Sequence, residues 1–482
     1  MENFFYQEEI NRVNEFVGKN GGYRRVGVIS RSSIIELIRW LCLYSADLPG
    51  DGRTFENPST RKLFAQAILI AGQLWSGRVY KLRISKENLP MLRQVIDDNL
   101  TSLQIHTAIG RGLSLFGRIM KERYRDMETV FCLSTGMSIS DYYFCLAILL
   151  LMHLHVTPEQ ANSGNNGIFH IDSSFENMKP SMRELMTKFI LHESQTVEGL
   201  TKSIWDNNNT SEHVSDADYY LRPLREKPIL RASDGRCIVL DSRYFSCRAS
   251  DGPFFILTRH FENDTNKLNI LTSEFGYAFE RYACDLLDSM KQTPSSVHIR
   301  RVKGHDCKNN NQTVEVADYG IIEGSDLALF ELKAIIMPER LMDGEKPEQY
   351  VRFLLSKYAR YSDADVKGAG QLARSIQRLR TSEWVLDRSI EQIRRIHPVL
   401  LVHDEFLEAP GHIHPLAKSF YDALKPDYIF PYQQSYAYGR FVVMPLIVIS
   451  IDNLEMLQAV ALDQGIIRIL FDYSDYRKGR DL

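Results

Sequence analysis

Residues 314–336, VEVADYGIIEGSDLALFELKAII, constrain the fold more than any other stretch of the chain. Two apolar runs, Val314–Ile322 and Leu327–Ile336, flank Glu323-Gly324-Ser325-Asp326, the chemistry of strand, turn and strand. Alternation along the second run puts Leu327, Leu329, Glu331 and Lys333 on one face, and Ala328, Phe330, Leu332 and Ala334 on the other. Two opposite charges thus interrupt an otherwise apolar strand, side by side. Burying either one alone is costly, so the pair needs a reason. Asp318 is a third polar intruder, and a hairpin brings it back beside Glu331. Two carboxylates and an ammonium converging at a strand end form an oxygen-donor site suited to Mg2+. A structural ion pair at a sheet end is the other outcome of the same pattern.

The flanking segments supply context. Residues 274–290, EFGYAFERYACDLLDSM, have the period of an amphipathic helix with Phe275, Phe279, Ala283, Leu286 and Met290 on one stripe. Glu280 lies at the edge of that stripe. A strand over Ser296–Val302 and a polar loop over Gly304–Gln312 lead into the hairpin. Residues 338–362 read as an insertion with a helix around Gln349–Tyr361 carrying Arg352, Lys357 and Arg360. The segment VKGAGQLARSIQRLR (366–380) is a two-faced helix: Leu372, Ile376 and Leu379 pack, while Lys367, Gln371, Arg374 and Arg378 form a polar-basic stripe. Between 366 and 400 there are seven Lys and Arg against three Asp and Glu, in a chain whose net charge is −3. A polyanion must therefore be met by such a local patch, because the global charge does not attract it. Strands over 395–403 and 440–450 complete a sheet. His403-Asp404, at a strand end with no third partner, reads as structural.

Asp318 followed across a short turn by Glu331-x-Lys333 resembles the PD-(D/E)xK nuclease superfamily, which includes many restriction enzymes. Ala317 stands where the motif's proline would be. Two other acid-x-Lys triplets, Asp306-x-Lys308 and Asp365-x-Lys367, lie outside apolar strands and carry no such likeness. The order helix, strand, hairpin, helix, strand over about 274–403 is similar to the family's α-β-β-β-α-β core. The resemblance implies that Asp318 and Glu331 hold Mg2+, with Mn2+ as a substitute, and that the backbone carbonyl of Leu332 is a further ligand. It implies an extra acidic ligand at Glu280, a catalytic Lys333, and Gln371 near the scissile phosphate, with Lys367 as the alternate. Lys367, Arg374 and Arg378 are then the expected contacts to nucleic acid, with DNA as the substrate.

The remaining residues set the frame. A chain of 482 residues exceeds one typical core, and the expected division is a mainly helical domain over 1–225 and a nuclease-like α/β domain with a mixed sheet over 226–482. Helices are expected after Ser32/Ser33, after Pro58-Ser59-Thr60, after Ser138/Ser140 and over Ser181–His192. Asp206–Asp218, rich in Asn, Ser and Asp, reads as a linker. Residues 227–245 signal a hairpin turning at Ser233-Asp234-Gly235. The basic-aromatic run 117–126, GRIMKERYRD, reads as a solvated helix face. Seven scattered cysteines without paired spacing exclude a disulfide framework and structural zinc, and suit a reducing cytoplasm. The first residues are not those of a signal peptide, and the longest apolar run, Tyr142–Val156, is too short to span a bilayer, so no membrane partner is expected. A helical module ahead of such a site is similar in layout to bacterial nucleases that defend against phage, acting alone, as a homo-oligomer or with a protein subunit. The other expectation is a nucleic-acid-binding or assembly subunit whose nuclease fold is catalytically silent.

Overall fold

The computed structural model describes residues 34, 37–38, 41, 62–64, 66–68, 70–71, 105–154, 168–210, 222–291, 296–309, 312–336, 347–359, 366–386, 392–408, 410–424, 436–438 and 441–479. The helix starts expected at Ser32/Ser33 and Pro58–Thr60, residues 211–218 of the expected linker, residues 338–346 and Arg360 lie outside the described residues.

The opening half is mainly helical. Helix α1 (Ile105–Gly112) runs on through a π-helical stretch, Leu113–Ile119, into α2 (Met120–Arg123). It is followed by α3 (Met127–Thr135) and α4 (Ile139–Leu154). The Ser138 hydroxyl accepts from Asp141 N at 3.0 Å, satisfying one of the open donors at the start of α4, as the serine there suggested. Tyr142, Tyr143, Leu146, Leu149 and Leu150 of α4 are buried, and among the described residues no single helix is long and apolar enough to cross a membrane. Strand β1 (Ile168–His170), α5 (Pro180–Glu193), β2 (Ser194–Thr196) and α6 (Val197–Thr210) come next. The expected linker is thus shorter at its front. Asp206–Thr210 close α6, whose Leu200 and Ile204 are buried and carry the helix forward despite its polar sequence.

Strands β3 (Ile229–Arg231) and β4 (Arg236–Val239) form the second hairpin, with Gly235 at φ +85° in its turn. They join β1 and β2 in a four-stranded sheet of order β1-β4-β3-β2. That sheet runs across the expected boundary at 225/226, and it places the hairpin with the residues before it. Helices α7 (Ser242–Ser250), α8 (Gly252–His260) and α9 (Thr265–Ser289) follow. Helix α9 starts nine residues before the expected 274, capped by Asp264, whose side chain accepts from Lys267 N at 3.1 Å. Its expected stripe, Phe275, Phe279, Ala283, Leu286 and Met290, is buried.

The larger sheet is mixed. Strands β5 (Ser296–Asp306), β6 (Gln312–Glu323) and β7 (Asp326–Lys333) form an antiparallel meander, and β9 (Arg395–Val402) lies parallel to β7. Strand β5 extends past its expected end, because Gly304, His305 and Asp306 pair with β6 and also with β8 (Trp384–Leu386), so the loop before the hairpin shrinks. The hairpin turn has Gly324 at φ +61°, the left-handed start that a two-residue turn asks of glycine. The strand expected over 440–450 is two strands, β11 (Phe441–Val443) and β12 (Ile447–Ser450), both parallel to β9. Pro445 lies in the gap and has no N–H to donate to a ladder. Strand β10 (Tyr436–Tyr438) pairs with β11 at the edge.

Helices cover both faces. Helices α10 (Pro347–Tyr358), α11 (Ala369–Arg380) and α12 (Pro410–Leu424) pack with Leu327, Leu329 and Leu400. Helix α9, with α13 (Ile451–Gln464) and α14 (Ile466–Gly479), packs with Ala328, Phe330 and Leu332. The two apolar sets read from alternation in β7 therefore face two different cores.

Candidate active site

The site is built where the β6–β7 ladder ends, midway along β6 and near the end of β7. Their ladder pairs Tyr319 with Phe330, and one step further along stand Asp318 and Glu331. There the Asp318 side chain replaces a strand partner: its Oδ2 accepts the backbone N–H of Leu332 at 2.7 Å. Glu331 is 2% exposed, and its Oε1 accepts a close hydrogen bond from Lys333 Nζ. Lys333 is partly buried on the same face and paired with Glu331, and Asp318 is close enough to act electrostatically on both.

Their electrostatics are unbalanced. Burial, with Asp318 beside it, pushes the Glu331 carboxyl up to about 8, although Lys333 pulls the other way. Burial also raises the Asp318 carboxyl against the pull of Lys333 and the Leu332 N–H. Burial alone would lower the pKa of the Lys333 ammonium, but Glu331 and Asp318 outweigh it and raise it. Lys333 stays charged, and one cation is shared by two carboxylates. Added positive charge is the physical remedy. The donors are hard oxygens, which fits Mg2+. Among the described residues no three His, Cys, Asp or Glu side chains converge on a possible metal position.

The other expected residues are placed as follows. Glu280 is half-buried on α9, with its carboxyl raised by burial and by Asp318, and its Oε1 lies 3.6 Å from the Arg301 guanidinium. It borders the pair without closing a three-carboxylate cluster. Leu332, the expected backbone ligand, is the residue whose N–H Asp318 holds. Gln371 is committed within its own helix, its Oε1 accepting from Gly368 N at 3.0 Å at the start of α11. Lys367 is half-buried just ahead of that helix. Arg374 is part-exposed on α11, and the Arg378 guanidinium lies 4.7 Å over the Trp384 ring. The run 117–126 turns toward carboxylates, with Arg123 Nε 2.7 Å from Glu274 and Lys121 3.1 Å from Glu128, as expected of a solvated helix face.

Arg301 has no signal in the sequence. It sits on β5 between Arg300, paired with Tyr319, and Val302, paired with Ala317, which puts it across from Asp318. Its φ is +50°, a left-handed conformation that costs a non-glycine residue about 1–2 kcal/mol. A left-handed residue in a strand is announced by glycine or asparagine, and arginine announces nothing. No protein-family model, curated protein or solved structure matches the chain.

Proposed function

We propose that the chain is a divalent-metal-dependent nuclease of the PD-(D/E)xK kind, hydrolysing phosphodiesters of DNA. One observation carries the reading: Asp318, held by the Leu332 N–H, and the buried Glu331 stand just past the end of the β6–β7 ladder with one nearby ammonium, Lys333, which is paired with Glu331 and acts electrostatically on both. A structural ion pair would need one carboxylate; here burial, with the second carboxylate beside it, raises Glu331 to about 8. The order α9, β5, β6, β7, α11, β9 supports the same family's core, and the part-exposed Arg374 supports a basic approach for the duplex.

When bound, the cation supplies positive charge to a phosphate oxygen and acidity to a water. Asp318 and Glu331 would hold it, with the Leu332 carbonyl as the backbone ligand and Mn2+ able to replace Mg2+. Leu332 N–H fixes Asp318 in place, so that carboxylate does not need to reorganise. Lys333 keeps its proton and meets the charge that grows on the phosphate as the bond breaks. A helical module in front of this site supports placing the chain among nucleases that act on phage or foreign DNA. A second reading is favoured by the closed Glu331–Lys333 contact: a subunit that binds nucleic acid and does not cut.

The deciding experiment incubates purified protein with supercoiled plasmid in Mg2+, in Mn2+ and in EDTA. Nicking in the metals alone is expected, lost in Asp318→Ala while the variant stays folded. Binding without cutting under all three conditions would favour the silent subunit, and undiminished cutting by Asp318→Ala would remove the site.

A further inference from the structure

Regular strands send successive side chains to opposite faces, and β5 departs from that rule at Arg301, just ahead of a register shift against β6 between Val302 and Lys303. Arg300 reaches α9, donating from Nε to Asp288 at 2.6 Å and from NH2 to Asp285 at 2.7 Å. Arg301, its neighbour, reaches the same helix at Glu280. The left-handed φ of Arg301 is what makes both possible. The partner strand changes face at the same level: Tyr319 packs in the core under α9, whereas Ala317 and Val302 pack in the core under α11. Arg301 and Asp318 thus occupy the step where both strands turn over, next to the candidate metal position.

A tie to Glu280 does not explain this conformation. The Arg301 side chain is 58% exposed and its guanidinium 3.6 Å from the carboxylate, longer than a hydrogen bond, and exposed pairs of this kind contribute little. The surroundings suggest another partner. Three carboxyl groups, Glu280, Asp318 and Glu331, line this position, and Lys333 is already paired with Glu331, so among the described residues Arg301 is the cation left to meet a phosphodiester there. A guanidinium fork matches two phosphate oxygens, which an ammonium cannot do.

We infer that Arg301 is a substrate-binding residue that exchanges Glu280 for a nucleic-acid phosphate beside the metal position, leaving the Glu280 carboxylate free to turn toward the metal. This role rests on the nuclease reading and adds a specific phosphate contact to it. It also accounts for the strained backbone, which is kept because it aims the fork.

The test compares the full chain with Arg301→Gly, which suits the backbone and removes the cation, and with Arg301→Lys, which keeps the charge and loses the fork. A fluorescent duplex oligonucleotide in Ca2+ reports binding over a salt series, and plasmid in Mg2+ reports cleavage. For Arg301→Gly the slope of log affinity against log salt should fall by about 0.9, the value for one phosphate contact. KM should rise roughly tenfold with a smaller fall in kcat, and the thermal midpoint should hold or rise. Arg301→Lys should recover the slope and only part of KM. If the wild type cuts and Arg301→Gly shows the same slope and KM, the role is wrong while the nuclease reading stands. A lowered midpoint with an unchanged slope would make the arginine structural. A wild type that neither binds nor cuts nucleic acid would remove both readings.

Discussion

Lys333 lies two residues beyond Glu331 on one strand face, and its ammonium is held charged by two carboxylates. In the proposed reaction its action belongs to the transition state, where extra negative charge develops, more than to holding the duplex. Lys333→Ala is therefore expected to slow single-turnover cleavage by about 10²-fold or more with nearly unchanged DNA affinity. Lys333→Arg should rescue poorly, because a planar fork places its charge differently. Wild-type cleavage by Lys333→Ala would make the triplet a structural pair. Glu193 is the contrasting buried carboxylate. Burial by itself would raise it, but the Arg248 guanidinium, at 2.7 Å, holds it down at about 2. With a folded value below the usual 4.5, its stabilisation is present above that pH and is lost as pH falls toward 2. The loss should reach roughly 3 kcal/mol, seen as a fall in the thermal midpoint that Glu193→Gln does not show. Asp318, Glu331 and Lys333 were readable because charge in an apolar strand is improbable without a reason. Arg301 was not readable, since its peculiarity is a backbone angle that its side chain does not encode.

At the scale of elements, α11 joins packing with the proposed binding of DNA. Leu372, Ile376 and Leu379 are buried as its period indicates, and Ser375 Oγ donates to Val316 O at 2.6 Å, fixing the helix on β6. Replacing Arg374 and Arg378 together is expected to weaken duplex binding and lower its salt slope by about two at most. Arg378→Ala alone should also lose roughly 0.5–1 kcal/mol of stability, because its guanidinium lies over Trp384. An unchanged salt dependence would move the DNA path elsewhere, toward Arg352 and Lys357. Period and polarity made this helix legible, as alternation did for β7. The role of Gln371 was less so: a glutamine three residues into a helix can cap it or face a ligand, and the free N–H of Gly368 competes for it. The ends of β5 and α9 escaped for a related reason. Strand length is set by β8, which lies far along the chain, and helix length by a cap at Asp264 ahead of the apolar period.

At the scale of the molecule, the two halves are joined by buried charge. Arg111 of α1 is 1% exposed and donates to Asp452 at 2.6 Å and to Glu455 at 2.9 Å, both on α13. Tyr282 of α9 donates to the other oxygen of Glu455 at 2.8 Å, so three distant segments share one network. Arg111→Met should destabilise the chain by about 3–5 kcal/mol, since it leaves carboxylates buried without their cation. Denaturant unfolding followed by separate probes in the two halves should then show transitions that no longer coincide. Coincident, unshifted curves would make the network incidental. No pattern in the sequence links these residues, because nothing local relates positions so far apart.

The spacing has a consequence in time. Asp452 follows Arg111 by 341 residues, so a ribosome adding about 5–20 residues per second takes roughly 20–70 s to deliver the anion after the cation. Until then the opening helices carry an arginine that has no anion from α13 to settle against. The seam between the halves closes only when nearly all of the described chain has been made. Tyr282 of α9, the helix that carries Glu280, gains its Glu455 partner only at that late step. If the proposed nuclease reading holds, a site that depends on this seam would leave the growing chain, and the cell that makes it, exposed to little premature cutting.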